Sequence, residues 1–129
     1  MANIHRAIGI DLGTTNSVVA WMRAGEPKVI PNALNELLTP SAVGLGRNGE
    51  LIVGKAAKNK MGDRNTVLSI KRFMGLPFDL TDEDRRRVHY EVSEGPGHEV
   101  RIHFNNRAYS PTDLSAIILH KLRQDARDR

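Results

Sequence analysis

The chain has 129 residues, of which 40% are hydrophobic and 26% charged, and this size and composition are typical of one soluble globular domain. It contains no cysteine, which excludes disulfides and thiolate metal sites. The net charge of +4 suggests a nucleic-acid partner. However, only 5% of the residues are aromatic, and these aromatic residues are not interleaved with the scattered basic residues. We therefore predict no nucleic-acid partner.

The start of the chain and its apolar runs argue against export and membrane insertion. Residues 1–6 lack the long apolar stretch of a signal peptide. No run approaches the roughly 18–20 consecutive apolar residues that a membrane-spanning helix needs. We expect a cytoplasmic protein that does not contact a membrane.

In chain order, the first half is predicted to consist mainly of strands. Apolar, β-branched runs alternate there with turn residues. These runs predict strands over residues 7–11, 17–22, 27–31, 41–45 and 50–53. The Asn48-Gly49 dipeptide between the last two is a strong signal for a tight hairpin turn. A short helix is expected near residues 55–60.

The next element is predicted to be a helix that carries Lys71. Asn65 or Thr66 can cap it, apolar residues recur at helical spacing, and Gly75 with the nearby Pro77 would end it. A lysine on an amphipathic helix is usually a solvated surface residue. Lys71 borders the apolar stripe, however, so its side chain can point into a cleft.

The last third is predicted to contain a short helix, three strands and a long helix. The short helix begins at Thr81, with Asp84 suited to a capping box. Strands are expected over residues 88–93, 99–104 and 107–109. The long helix begins with Ser110 as its N-cap and Pro111 at its first position. Its apolar stripe is predicted to contain Leu114, Ile117, Ile118 and Leu122.

The most informative segment is the turn between the first two strands, at residues 9–17. Gly13 lacks a Cβ, so its N–H can approach an anion closely, and successive turn amides can form an anion-binding concavity. The hydroxyls of Thr14 and Thr15 can add donors, and Asp11 can hold a hydrated Mg²⁺, which keeps several of its waters. On residue types alone, an ordinary hairpin turn remains an alternative.

The phrase IGIDLGTTNS at residues 8–17 resembles the first phosphate-binding segment of the seventy-kilodalton heat-shock chaperones, the DnaK-type family of the actin-like ATPase superfamily. Further segments similar to that family follow along the chain. They lie at residues 27–33, 39–41, 53–58, 65–75 and 109–111. Because the resemblance spans nearly the whole sequence, the chain is identified as a member of this family.

The resemblance implies an α/β fold of the actin-like ATPase (ribonuclease H-like) type, with a mixed sheet and flanking helices. Residues 1–129 would form the first part of lobe I, a partial nucleotide-binding domain without lobe II or a peptide-binding domain. One departure lies in the loop before Thr39, where the family usually has a glycine and an arginine and this chain has Asn35 and Leu37. This departure puts in doubt a role of the loop in contact with an exchange factor or in closure of the cleft.

The resemblance also implies cofactors and roles for single residues. The implied cofactors are ATP or ADP and Mg²⁺. Asp11 would order the Mg²⁺ through water, and Lys71 would be the catalytic lysine that places the attacking water. The residues that would hold the phosphates are Gly13, Thr14, Thr15 and Asn16.

By this resemblance the full-length protein would be an ATP-dependent molecular chaperone. ATP hydrolysis would control its binding and release of unfolded polypeptides, with a J-domain co-chaperone and a nucleotide exchange factor as partners. We expect the 129-residue chain alone to be hydrolytically inactive and to self-associate through apolar surface. Two alternatives stay open: a stand-alone binding or regulatory module without hydrolysis, and an actin-like kinase or filament protein. Residues 39–41 and 69–75 disfavour the second of these.

Overall fold

The structure, a computed structural model, describes residues 6–129. Residues 1–5, which form most of the segment searched above for a signal peptide, lie outside the described part. The described chain combines small antiparallel sheets with helices, and the predicted mixed α/β class is confirmed. No helix in this part is both long and apolar enough to cross a membrane.

The elements alternate between short strands and short helices until one long helix ends the chain. The strands are β1 (Ile8–Leu12), β2 (Asn16–Arg23), β3 (Glu26–Val29), β4 (Thr39–Pro40), β5 (Ala42–Leu45), β6 (Leu51–Val53), β7 (Val67–Leu68), β8 (Glu91–Glu94), β9 (Val100–Phe104) and β10 (Arg107–Tyr109). The α-helices are α1 (Lys55–Lys58), α2 (Asp82–Arg87) and α3 (Pro111–Arg127). Single 3₁₀ turns occupy Ile70–Phe73, Phe78–Leu80 and Pro96–His98.

The strands form one four-stranded and two three-stranded sheets within the described residues. In the first sheet, β2 pairs with β1, β3 and β4, and all pairs are antiparallel. In the second, β5 lies between β6 and β7. The turn from β5 to β6 forms at the predicted dipeptide, where Gly49 has a φ of 76°. In the third, β9 lies between β8 and β10.

The predicted helix around Lys71 is wrong. Val67 and Leu68 form β7 against β5 instead, Ser69 takes a left-handed conformation with φ 57°, and only a 3₁₀ turn follows over Ile70–Phe73. Strand pairing buries Val67 completely, and this long-range contact overrides the helical spacing of a short apolar run. The predicted stop at Gly75 is present, with φ 73°.

Two smaller predictions near α2 also fail. The Thr81 hydroxyl donates a hydrogen bond to the Phe78 carbonyl at 2.6 Å and accepts one from the Arg85 side chain at 3.2 Å. It makes no cap hydrogen bond with α2, so the expected capping box with Asp84 is not formed. The strand predicted to start at residue 88 begins only at Glu91.

Helix α3 begins as predicted and anchors the core. Ser110 is its N-cap and Pro111 its first residue, and a capping box joins Ser110 to Asp113. Three residues of the predicted stripe are fully buried among side chains from the second and third sheets, and each such side chain contributes about 1.5–3 kcal/mol. They are Leu114, Ile118 and Leu122. The fourth, Ile117, packs partly buried against the same cluster.

Candidate functional site

The turn between β1 and β2 has the shape that the sequence predicts for an anion-binding loop. β1 ends at Leu12, opposite Ser17 of β2, and residues 13–15 close the hairpin. A Cβ at position 13 would overlap the Asn16 carbonyl oxygen, so only glycine allows so tight a turn. The backbone amides of the turn are therefore fixed close together, as a phosphate-binding concavity requires.

A second segment holds this turn from the side. The Ser41 hydroxyl donates to the Gly13 carbonyl at 2.8 Å, and the Ser41 amide donates to the Thr15 carbonyl at 2.9 Å. The Ser17 and Ser41 hydroxyl oxygens lie 2.8 Å apart. Because the single proton of the Ser41 hydroxyl goes to Gly13, Ser17 is the donor in this pair. The turn thus keeps its shape through the protein's own hydrogen bonds.

Ser17 and Ser41 are site residues that the sequence reasoning did not single out. Both are buried, with 0% and 3% of their surface exposed, and a buried hydroxyl needs a partner. A serine within each of two otherwise apolar strand segments was the available signal. It did not reveal that the two hydroxyls meet across 24 residues of sequence.

The predicted phosphate and metal residues lie together at the open end of the hairpin. Asp11 and Thr15 are exposed, while Gly13, Thr14 and Asn16 are half-buried. No cluster of three metal-ligating side chains occurs within residues 6–129. A cation here would depend on Asp11, water and ligand oxygens, and this donor set fits Mg²⁺, which is usually bound through one or two carboxylates and retained waters.

A cavity of about 570 Å³ opens beside Asn16. Its basic lining residues are Lys55 and Lys58, and Lys55 pairs with Glu36 at 2.8 Å. Glu36 also lines the cavity and offsets the charge of Lys55, so Lys58 supplies the net positive charge next to the hairpin, and this charge favours an anionic ligand.

Lys71 lies on a separate element, the 3₁₀ turn Ile70–Phe73, and is exposed. Among the described residues it forms neither a hydrogen bond nor an ion pair with the hairpin. The two features are nevertheless built on one segment, because Ser41 holds the Gly13 carbonyl and the next residue, Ala42, pairs with Leu68 three residues before the lysine. The hairpin and the lysine turn therefore share a common support.

The unusual loop before β4 is ordered by Asn32. Its side-chain oxygen accepts hydrogen bonds from the amides of Leu34 at 2.9 Å and Glu36 at 3.0 Å. Asn35 has a φ of 61°, a conformation that asparagine adopts more readily than other non-glycine residues. Asparagine therefore fits at the position where the DnaK-type family usually has a glycine. Three leucines of the loop are at least half exposed, namely Leu34, Leu37 and Leu38.

The comparisons with known proteins agree over nearly the whole chain. A family model described as "Hsp70 protein" matches residues 7–129. Chaperone protein DnaK of Thermus thermophilus is 45% identical over 123 residues, which cover 94% of this chain and 20% of that protein. Chaperone protein dnaK of Cyanidium caldarium is 42% identical over 127 residues, covering 95% and 21% respectively. The chain thus spans about a fifth of the length of these relatives.

Proposed function

This chain belongs to the Hsp70 family, and we propose that it forms the first part of lobe I of an ATP-hydrolysing chaperone domain. The DnaK-type resemblance and the actin-like fold class predicted from the sequence are confirmed by the family match and the relatives. In the full-length cytoplasmic protein, ATP hydrolysis would control the binding and release of unfolded polypeptides. A J-domain co-chaperone and a nucleotide exchange factor would be its partners.

The common support of the hairpin and the lysine turn carries this proposal. Catalysis of phosphoryl transfer depends mostly on positioning and electrostatic stabilisation. A single segment, residues 39–43, holds the turn at Gly13 through Ser41 and the chain before Lys71 through Ala42. Movement of one feature relative to the other is therefore restricted, as a site that holds phosphate and places a water requires.

In this proposal each predicted residue keeps its role. The amides and hydroxyls of residues 13–16 hold the phosphates, and Asp11 orders the hydrated Mg²⁺. When bound, the Mg²⁺ would neutralise phosphate charge. Lys71 places the attacking water and offsets charge at the terminal phosphate. Asp11 and Thr15 are exposed at the open end of the hairpin, so the charges of a bound phosphate and of Asp11 would be in contact with water, where electrostatic stabilisation is weak. The chain alone is therefore expected to be inactive.

Calorimetric titration of MgATP tests the phosphate site in two proteins. The first is the 129-residue chain. The second, called here the fusion protein, joins this chain to the remaining sequence of Thermus thermophilus DnaK, which is 45% identical to it where they overlap. We expect the fusion protein to bind MgATP at about 10 μM or tighter (roughly −7 kcal/mol) and the chain alone to bind only at millimolar concentration.

Two variants and one control variant test which residues bind MgATP. Asp11→Asn and Thr14→Ala should each weaken binding by the fusion protein at least about tenfold (roughly 1.4 kcal/mol). Thr112→Ala, an exposed threonine on α3, should have no effect. Equal binding by all variants would contradict the proposal. Micromolar binding by the chain alone, lost in both site variants, would instead support a stand-alone binding module.

A further inference from the structure

The chain on both sides of Lys71 is held by contacts from distant parts of the sequence. Before the lysine, the Leu68 carbonyl accepts a hydrogen bond from the Tyr90 hydroxyl at 2.7 Å. After it, the Phe73 ring meets the Tyr90 ring edge to face, with centroids 6.3 Å apart and planes at 68°. One tyrosine therefore contacts both ends of the segment that presents the lysine.

Two further contacts fix the residues that follow Lys71. The guanidinium of Arg72 lies 3.8 Å from the carboxylate of Asp84 in α2. The Met74 sulfur accepts a hydrogen bond from the Ser115 hydroxyl of α3 at 3.2 Å. Lys71 itself is exposed and has no ion-pair partner among residues 6–129. The backbone of the turn is thus restrained while the lysine side chain stays available.

We propose that the Tyr90 hydroxyl is a positioning residue for Lys71, holding the Leu68 carbonyl so that the lysine turn keeps its direction. This inference rests on the function proposed above for Lys71. Its physical basis is Ser69, which lies between Leu68 and the lysine turn and has a φ of 57°. A non-glycine residue holds a left-handed conformation only when its surroundings impose it, and the hydrogen bond from Tyr90 fixes the peptide that enters it.

The Tyr90 hydroxyl is suited to a permanent hydrogen bond. The residue is only 6% exposed. Burial raises the pKa of its phenol well above the usual value, the carboxylate of Asp84 raises it further, and the guanidinium of Arg72 opposes the rise. The hydroxyl therefore stays protonated at neutral pH and can donate to the Leu68 carbonyl.

Tyr109 provides a matched control. It also stacks on a phenylalanine, Phe104, with centroids 4.9 Å apart, and it is half-buried. Its hydroxyl has no hydrogen-bond partner among the described residues. Tyr90→Phe and Tyr109→Phe therefore make the same chemical change and keep both rings, but only the first removes a hydrogen bond to the lysine segment.

Limited trypsin digestion of the 129-residue chain tests the restraint directly. Cleavage after Lys71 should become about fivefold faster in Tyr90→Phe, the factor expected when an opening equilibrium loses one hydrogen bond. Cleavage after Lys28, in β3, serves as the reference and should not change. Tyr109→Phe should match the wild type at both sites. Equal acceleration at Lys28 and Lys71 would mean that the hydroxyl stabilises the whole fold, and would overturn the inference.

ATP hydrolysis by the fusion protein tests the consequence for the lysine. Tyr90→Phe should lower kcat about fivefold and leave KM for ATP unchanged, whereas Tyr109→Phe should change neither. In a Lys71→Met background, Tyr90→Phe should have no further effect, because the group that it positions is absent. If Lys71→Met lowers hydrolysis at least about a hundredfold while Tyr90→Phe behaves like Tyr109→Phe, the positioning role is refuted and the proposed function stands. If Lys71→Met has no effect, the proposed function itself fails.

Discussion

Replacing Gly13 by alanine is expected to damage the phosphate turn through one steric contact. The added Cβ would overlap the Asn16 carbonyl oxygen. That oxygen cannot easily move away, because Asn16 begins β2 and the neighbouring Thr15 carbonyl is held by the Ser41 amide at 2.9 Å. The strain must therefore be absorbed by the turn.

Two opposing contributions set the loss in free energy of unfolding that Gly13→Ala should cause. Overpacking of this kind costs about 1–3 kcal/mol, and the restrained backbone favours the upper half of that range. The stiffer unfolded chain returns about 0.5 kcal/mol. The net loss is about 2 kcal/mol, and at about 3–5 °C per kcal/mol for a chain of this size the melting temperature should fall by about 6–10 °C.

The single tryptophan of the chain, Trp21, makes this loss measurable. It lies on β2 opposite Ile8, in the sheet that carries the turn, so its fluorescence during urea or thermal unfolding reports that sheet. The control is Gly9→Ala, because a Cβ at Gly9 meets nothing within 4 Å, and its effect should stay within about 0.5 kcal/mol. If Gly13→Ala proves as stable as Gly9→Ala, the steric account of the turn is refuted.

Three further predictions concern the support of the turn, the cap of α3 and the exposed loop. Ser41→Ala removes the hydrogen bonds to Gly13 and Ser17 and should cost about 1–3 kcal/mol in urea unfolding; an unchanged midpoint would contradict this. The Ser110 amide and then its hydroxyl lower the pKa of Asp113, so the cap stabilises the fold above the usual carboxyl pKa and is lost as the pH falls through the lowered value. The melting temperature of the wild type should therefore fall more steeply below pH 4 than that of Asp113→Asn; parallel curves would refute the cap. Sedimentation should show concentration-dependent self-association of the 129-residue chain, reduced in Leu37→Gln, whereas a strict monomer would contradict the prediction.

Local signals predicted those elements whose geometry is set by neighbouring residues. Ser110 and Pro111 determine the start of α3 through the cap and the fixed proline φ. Asn48-Gly49 determines the hairpin, because glycine tolerates the positive φ that the turn requires. Gly13 was singled out because a missing Cβ lets its N–H approach an anion, and the structure adds that no other residue fits beside Asn16.

Features that depend on distant contacts were not predictable in the same way. Val67 belongs to a strand only because Val43 lies beside it, and a short apolar run does not distinguish a strand from a helix. The hydrogen bond from Ser41 to Gly13 spans 28 residues, and that from Tyr90 to Leu68 spans 22. Such contacts exist only once the sheets have assembled.

Phosphate release by the fusion protein at saturating MgATP tests the central claim most directly, namely that this chain brings a phosphate turn and a catalytic lysine to one ATPase site. The account predicts steady hydrolysis by the fusion protein and none by the 129-residue chain alone. It also predicts a loss of at least about a hundredfold in Lys71→Ala, the lower range for removing a group that acts in the chemical step, and no loss in Lys28→Ala, an exposed lysine on β3. Undiminished phosphate release by Lys71→Ala, or hydrolysis by the chain alone, would contradict it.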